Sequence, residues 1–211
     1  MKGSELFWRF VKSYHDSGST RERRESFDLA ALCQLEGAER EAAEVLLLER
    51  LENNVEDPRV PDALHAMKPS ENALEAMRSA LKRYPDNHTR IALASVLWKL
   101  EKSPDSVSVL IEIAKTPTWT ERRIAAINAL RDIETIEADD ALFEAIEKYD
   151  DEAVHMIAQI ALFEKYKLDG LRHTDERISA LYKNLHSRDE KQRVEALEEL
   201  RSLITVLRSK G

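Results

Sequence analysis

Asn87-His-Thr-Arg-Ile-Ala-Leu-Ala-Ser-Val-Leu-Trp-Lys-Leu100 is followed by a second copy of the same phrase, Thr120-Glu-Arg-Arg-Ile-Ala-Ala-Ile-Asn-Ala-Leu-Arg-Asp-Ile133. Laying Arg90 on Arg123 superposes Ile91 on Ile124, Leu93 on Ala126, Leu97 on Leu130 and Leu100 on Ile133, an apolar series at helical spacing. The copies lie 33 positions apart. That interval is too long for a heptad repeat. It fits one helix-turn-helix unit of a solenoid, whose helices bury their apolar faces only when the next unit stacks on them.

Composition points the same way. Only 5 Gly and 6 Pro punctuate 211 residues, 34% of which are charged, and Ala, Leu, Glu and Arg are prominent. These are strong helix formers, and no run of alternating β-branched residues suggests a strand, so the chain reads as all-α. The net charge of −8 works against a nucleic-acid partner, because non-specific affinity for polyanions comes from neutralising phosphates. It also favours a basic or neutral protein partner. Cys33 is the single cysteine, which rules out an intrachain disulfide and fits a reducing compartment. The opening residues break their apolar run with Glu5, Arg9 and Lys12, unlike a secretion signal, and no stretch approaches the ~20 apolar residues of a membrane span. The expectation is a cytoplasmic protein with no membrane association, read as a monomer.

Working outward, residues 4–14 place Leu6, Phe7, Phe10, Val11 and Tyr14 on one side of a short helix with Trp8 at its edge. This reads as a cap over the first repeat, the alternative being an aromatic hook for a membrane or partner. The turn Asp16–Thr20 leads to a helix over 21–35, with Phe27, Ala30, Ala31 and Leu35 inward and Arg21, Arg23 and Arg24 unfavourably placed against its dipole. Gly37 ends it, and 38–53 forms the second helix of that pair, with Arg40 in the position of Arg90. The interval from Arg40 to Arg90 is 50, so a short helix at 60–67 is either an insertion or a shrunken repeat. Further pairs are predicted at 71–84 with 87–100, 107–115 with 120–133, 138–149 with 151–166, and 174–185 with 191–207. Thr118–Glu121 and Ser187–Glu190 have capping-box spacing. In the last helix Val194, Leu197, Leu200 and Ile204 are available to the core. The organisation expected is one domain over 1–211, with a cap at 1–20 and repeats at 21–207.

These second helices begin with Arg or His, carry a small or apolar residue three positions on and Leu seven on, and follow a polar turn. The pattern resembles the HEAT-repeat family, and Asp57-Pro-Arg-Val-Pro-Asp-Ala-Leu64 is similar to the opening of a family outer helix. The resemblance implies a right-handed α-solenoid of about five stacked antiparallel helix pairs with an N-terminal capping helix, covering residues 21–207. It also implies that second helices line a concave, partner-binding side. Arg40, Arg90, Arg123 and Arg193 match a family arginine that reaches an acidic residue of the adjacent repeat. His155 departs from that pattern. These five are read as inter-repeat structural residues.

The chain carries no His-x-x-x-His or His-Glu-x-x-His metal motif, no phosphate loop, no dinucleotide fingerprint and no nucleophile elbow. Cys33, among Leu29 and Leu32, reads as an inert buried thiol. No catalytic residues, metal or cofactor are assigned. Candidate partner-binding residues are those on second helices that the core does not use. Glu41, Glu44 and Glu49 form an acidic end, and Ser95, Trp98, Lys99, Asn128, Arg131, Gln159 and Glu164 continue the face. Trp98 is either an aromatic hot spot or buried under a neighbouring helix. Trp119, at a repeat turn, is read as a wedge between units.

The leading expectation is a non-enzymatic protein-binding solenoid, in its most specific form an immunity protein that neutralises a basic toxin or effector domain. A general scaffold or assembly adaptor is the nearest rival. Resemblance also brings in HEAT-like DNA glycosylases, for which Trp98, Trp119, Arg122, Arg123 and Asp132 supply the residue types, and lyases acting on bilin-type chromophores. The acidity argues against the first, and no ligand motif supports the second.

Overall fold

The computed structural model describes residues 3–15, 27–53, 55–85, 87–117, 119–148 and 151–209. Among them there are twelve α-helices and one 3-10 helix, and no strand. In order they are α1 (Glu5–His15), α2 (Leu29–Leu32), α3 (Gly37–Glu52), α4 (Arg59–Ala66), α5 (Glu71–Arg83), α6 (His88–Glu101), α7 (Pro104–Lys115), α8 (Thr120–Arg131), α9 (Ile136–Lys148) and α10 (Glu152–Lys165). The 3-10 helix Asp169–His173 then precedes α11 (Glu176–Leu185) and α12 (Glu190–Arg208).

Most boundaries follow from local chemistry. Ser70 Oγ accepts from Ala73 N, Asn87 Oδ1 from Arg90 N, Asp151 Oδ1 from Ala153 and Val154 N, and Asp175 Oδ1 from Arg177 and Ile178 N, each satisfying backbone donors that the first turn leaves open. Pro104 opens α7, where its missing N–H costs nothing. Of the two expected capping boxes, Thr118 lies outside the described residues and Trp119 stands at the N-cap of α8 without a side-chain cap. At α12 the cap is Asp189, which accepts from Lys191 N, while Ser187 Oγ turns to Gln192 instead.

The chain divides into two compact units, Met1–Ile113 and Ala114–Gly211, with the division inside α7. In the first, α1, α3 and α5 pack side by side in one layer and α2, α4 and α6 in the other, and the successive hairpins α1–α2, α3–α4 and α5–α6 join the layers. This corrects the expected pairing. The short helix α4 is the partner of α3 and the layer-mate of α6, so it is neither an insertion nor an extra repeat. Pro58 and Pro61 fall before and within its first turn, and Lys68 in a left-handed conformation with Pro69 ends it after eight residues. Arg40 therefore does not occupy the position of Arg90. Gly37, at φ +52, opens α3 instead of closing the helix before it.

The expected helix at 21–35 is seen as α2 alone, four residues long; Arg21, Arg23, Arg24 and the turn 16–20 lie outside the described residues. Phe27, Ala31 and Leu35 are buried as expected, but Ala30 is exposed. Cys33, already past the end of α2, is exposed as well, against the expectation of a buried thiol.

A charged and aromatic cluster ties the first unit together at this end. Asp57 is buried and pairs with Arg50 at 2.7 Å and Arg59 at 2.8 Å. Arg50 lies 4.0 Å over the Tyr14 ring and Arg59 4.6 Å over Phe27, whose rings stack at 6.0 Å, with Phe10 at 6.2 Å from Phe27. Burial pushes the Asp57 carboxyl up, but hydrogen bonding and charge from Arg59, then Arg50, outweigh it and hold the group below its usual value. An unfolded aspartate titrates near about 3.9, so this contribution is complete above that pH and is lost as pH falls toward the lower folded value. Thermal unfolding followed against pH should show stability dropping below about pH 4, and less steeply in Asp57→Asn. Identical acid slopes for the two proteins would exclude Asp57 as a source of the loss.

In the second unit α8 and α10 lie side by side, α9 packs against both, and the 3-10 helix carries the chain from α10 to α11, which pairs with α12. The α12 helix then reaches α9 through Arg201, which pairs with Glu147 at 2.8 Å and Asp140 at 3.4 Å, and through Arg208, 3.4 Å from the buried Asp139. Lys165 meets the other oxygen of Asp139 at 2.6 Å, and the Tyr166 hydroxyl donates to the same carboxylate. Burial, then the hydrogen bond to Asp139 and its charge, raises the Tyr166 phenol well above its usual value. Leu200 and Ile204 of α12 are buried, whereas Leu197 is half-buried and Val194 is 51% exposed, against the expectation that all four serve the core.

Candidate binding surfaces

Each of the arginines expected to link repeats bonds a backbone carbonyl. Arg90 Nε donates to the Leu81 carbonyl at 3.1 Å, and Arg123 Nε to the Ala114 carbonyl at 3.1 Å, each nine residues back at the end of the preceding helix. Both thus satisfy a last-turn carbonyl of the first helix and favour its dipole. Arg90 and Arg123 also meet acidic residues of the following helix pair as expected, Glu112 at 3.5 Å from Arg90 and Asp151 at 3.8 Å from Arg123. Arg193 donates to the Ser187 carbonyl at 3.0 Å in the turn after α11. Arg40 reaches the Met67 and Lys68 carbonyls beyond α4, at 2.7 and 2.6 Å. His155 is half-buried, and burial, then the charges of Arg193 and His186, hold its imidazole below its usual value. Because Arg123 is itself buried, Arg123→Met should keep the packing of its stem while leaving the Ala114 carbonyl unpaired. The expected loss is about 1–3 kcal/mol in denaturant unfolding, and a loss below about 0.5 kcal/mol would show that the bond contributes little.

The ten expected partner-binding residues separate. Glu41, Glu44 and Glu49 lie on α3, a first-layer helix of its unit, whereas Ser95, Trp98 and Lys99 lie on the second-layer helix α6, so they do not form one continuous face. Glu44 is buried and accepts from Ser70 N at 2.9 Å and from Ser70 Oγ, holding the start of α5. Trp98 is 8% exposed, with Lys102 5.0 Å from its ring. Burial therefore removes both from a partner surface. Lys99 and Asn128 are exposed and Ser95 is half-buried. Arg131 spends its guanidinium on Glu164 at 2.7 Å and Asp132 at 3.2 Å, linking α8 to α10. Gln159 is 1% exposed. With Trp98 and Arg123 buried, the residue set considered for a DNA glycosylase does not present a common surface; Trp119 is exposed, with Arg122 4.9 Å over its ring.

One surface open to a partner in the first unit is a stripe on α3. Glu41, Val45 and Glu49 recur every four residues and share one side of the helix, and all three are exposed. Neither carboxylate pairs with a described basic residue. The second unit holds a cleft of about 810 Å³ between α10 and α12, floored by Gln159 and bounded by Met156, Val194 and Leu197. Sequence reasoning missed it because it took Val194 and Leu197 for core. Among the described residues no group of three or more His, Cys, Asp or Glu side chains is placed to hold a metal ion, and no helix is long and apolar enough to cross a membrane.

With helix pairs and layered packing in view, the family comparison is decisive: HEAT repeats are matched over residues 47–131 and again over 74–163, together more than half of the chain. The chain belongs to the HEAT-repeat family. No curated protein and no solved structure matches this HEAT-repeat chain significantly. The matched residues run from α3 to α10 and include both copies of the repeated phrase. They describe architecture and carry no activity with them.

Proposed function

We propose that this HEAT-repeat protein is a non-enzymatic protein-binding scaffold and, more specifically, an immunity protein that neutralises a basic toxin or effector domain. The observation that carries this reading is the α3 stripe, in which two carboxylates without described cationic partners flank an exposed valine. Such an arrangement suits a basic surface with an apolar contact at its centre. A net charge of −8 adds long-range attraction for the same partner.

Affinity capture from the native host tests it, using the wild-type chain and Glu41→Lys/Glu49→Lys side by side. The expected result is one tightly held basic protein, salt-sensitive association at least about tenfold slower with the reversed charges, and loss of viability when the chain is deleted. Recovery of many weak partners, equally by both proteins, with no effect of deletion, would favour a general assembly adaptor.

A further inference from the structure

His155 is the member of the repeated arginine series whose charge can change near neutral pH. Arg90 and Arg123 each donate to a last-turn carbonyl nine residues back. The counterpart for His155 is the carbonyl of Ile146, and the half-buried imidazole makes no hydrogen bond to it or to any other described group. Instead the ring lines the cleft between α10 and α12, with Arg193 and His186 near enough to act on it. Both neighbours are pinned. Arg193 donates to the Ser187 carbonyl at 3.0 Å, and His186 Nδ1 lies 2.9 Å from the Tyr182 carbonyl with its ring 4.6 Å from that of Tyr182. A carbonyl only accepts, so this nitrogen of His186 carries the hydrogen, and neither group turns away from His155 without giving up its bond.

The other charges lining the cleft are balanced, Glu147, Glu190 and Glu198 against Lys148, Arg188 and Arg201, so they supply no net charge to hold a proton on the ring. On the side of α8, Asp151 pairs with Arg123 at 3.8 Å. Glu152 favours the charged ring but is outweighed by burial, then Arg193 and His186, and the imidazole sits below its usual value. An unfolded histidine titrates near about 6.5, so the contribution of the neutral ring is complete above that pH and is lost as pH falls from there toward the lower folded value. The α11–α12 hairpin is also fastened unevenly. Toward the end of α12, Arg201 meets Glu147 at 2.8 Å and Arg208 reaches the buried Asp139 at 3.4 Å. At the turn, the polar contact to α10 among the described residues is Gln159 Nε2 to the Leu185 carbonyl at 3.5 Å, beyond the usual hydrogen-bond range, and Val194 at the start of α12 is 51% exposed. Repulsion between His155 and Arg193 therefore acts on the loosely held end.

We propose that the turn end of the α11–α12 hairpin is an acid-sensitive latch: proton uptake at His155 sets a positive charge against Arg193 and His186 and lifts the turn and the first half of α12 from α10, opening the cleft, while Arg208 keeps the far end tied. The full chain, labelled with ¹⁵N, is followed by NMR from about pH 7.5 to about pH 5.5, a window above the range in which carboxylates titrate. Amide exchange is compared as protection factors, so that its intrinsic pH dependence drops out. Protection of Val194 to Leu197 should fall by at least about threefold, the size of one repulsive charge contact at a half-exposed site. The fall should track the titration of the His155 ring, and the amides of α8 should keep their protection. His155→Gln, which stays neutral, should hold its protection across the window. Arg193→Met, which removes the fixed charge, should move the His155 ring titration to higher pH and shrink the loss. No loss in the wild type, an equal loss in His155→Gln, or an unmoved ring titration in Arg193→Met would each overturn the proposal. A partner captured through Glu41 and Glu49 would be untouched by any of these results.

Discussion

Asp139→Ala should destabilise the second unit by about 3–5 kcal/mol, the range expected when one member of a buried ion pair is removed. The carboxylate side chain is 2% exposed and Lys165 opposite it 7%, so neither charge has water to fall back on. Lys165 would lose its partner at 2.6 Å, the Tyr166 hydroxyl its acceptor, and Arg208 the charge that draws the end of α12 onto α9. Most of the cost comes from the buried ammonium left behind, and this separates the prediction from a packing defect. Asp139→Leu combined with Lys165→Met should recover much of the loss, because a buried pair replaced by apolar groups of similar size is often neutral. Denaturant unfolding of the single and double variants measures this. A double variant as unstable as Asp139→Ala would show that the effect lies in shape and not in uncompensated charge. Hydrogen exchange in α12 should rise in the single variant, since Arg208 is one of its ties to α9.

The features visible in the sequence are those with a period. The two copies at Arg90 and Arg123 repeat their apolar residues at helical spacing, so α6, α8 and their partners could be placed from the sequence. The layer assignment was not visible at α3. Its Arg40, Ala43 and Leu47 imitate a second helix because an amphipathic face has the same spacing in either layer. Which side a helix packs on is decided by its neighbours, here α4 and α5. The clusters around Asp57 and Asp139 were equally hidden. Asp139 meets Lys165, Tyr166 and Arg208 across intervals of 26 to 69 residues that follow no motif. The α3 stripe was half legible: Glu41 and Glu49 were chosen as positions the core does not use, and Val45 between them was not recognised as exposed. Gln159 was selected as surface and is buried, beside a cleft that the sequence did not reveal.

Leu97→Ala and Leu130→Ala should each cost about 2–5 kcal/mol, the range for deleting a buried leucine side chain from a packed core. Both are fully buried, at the same position of the repeated phrase, as Leu93 and Ala126 are one turn earlier. Three residues later the two copies part. Leu100 is 36% exposed near the end of α6, whereas Ile133 is 1% exposed just past α8. The sequence gives these two residues the same role; the packing does not. Lys102, left-handed at the end of α6, turns that chain away directly after its last turn, while α8 ends at Arg131 and lets Ile133 fold back into the core. Leu100→Ala should therefore cost less than about 1 kcal/mol and Ile133→Ala about 2–5 kcal/mol, although both remove an apolar side chain. Denaturant unfolding of the four variants checks the register of each copy independently. Equal losses at Leu100 and Ile133 would mean that the phrase is packed identically in both places and that the observed exposure of Leu100 does not hold in solution. A loss at Ile133 several times that at Leu100 would establish that the repeat is kept through its central leucines and relaxed at its ends, where each turn is free to set the angle to the next helix.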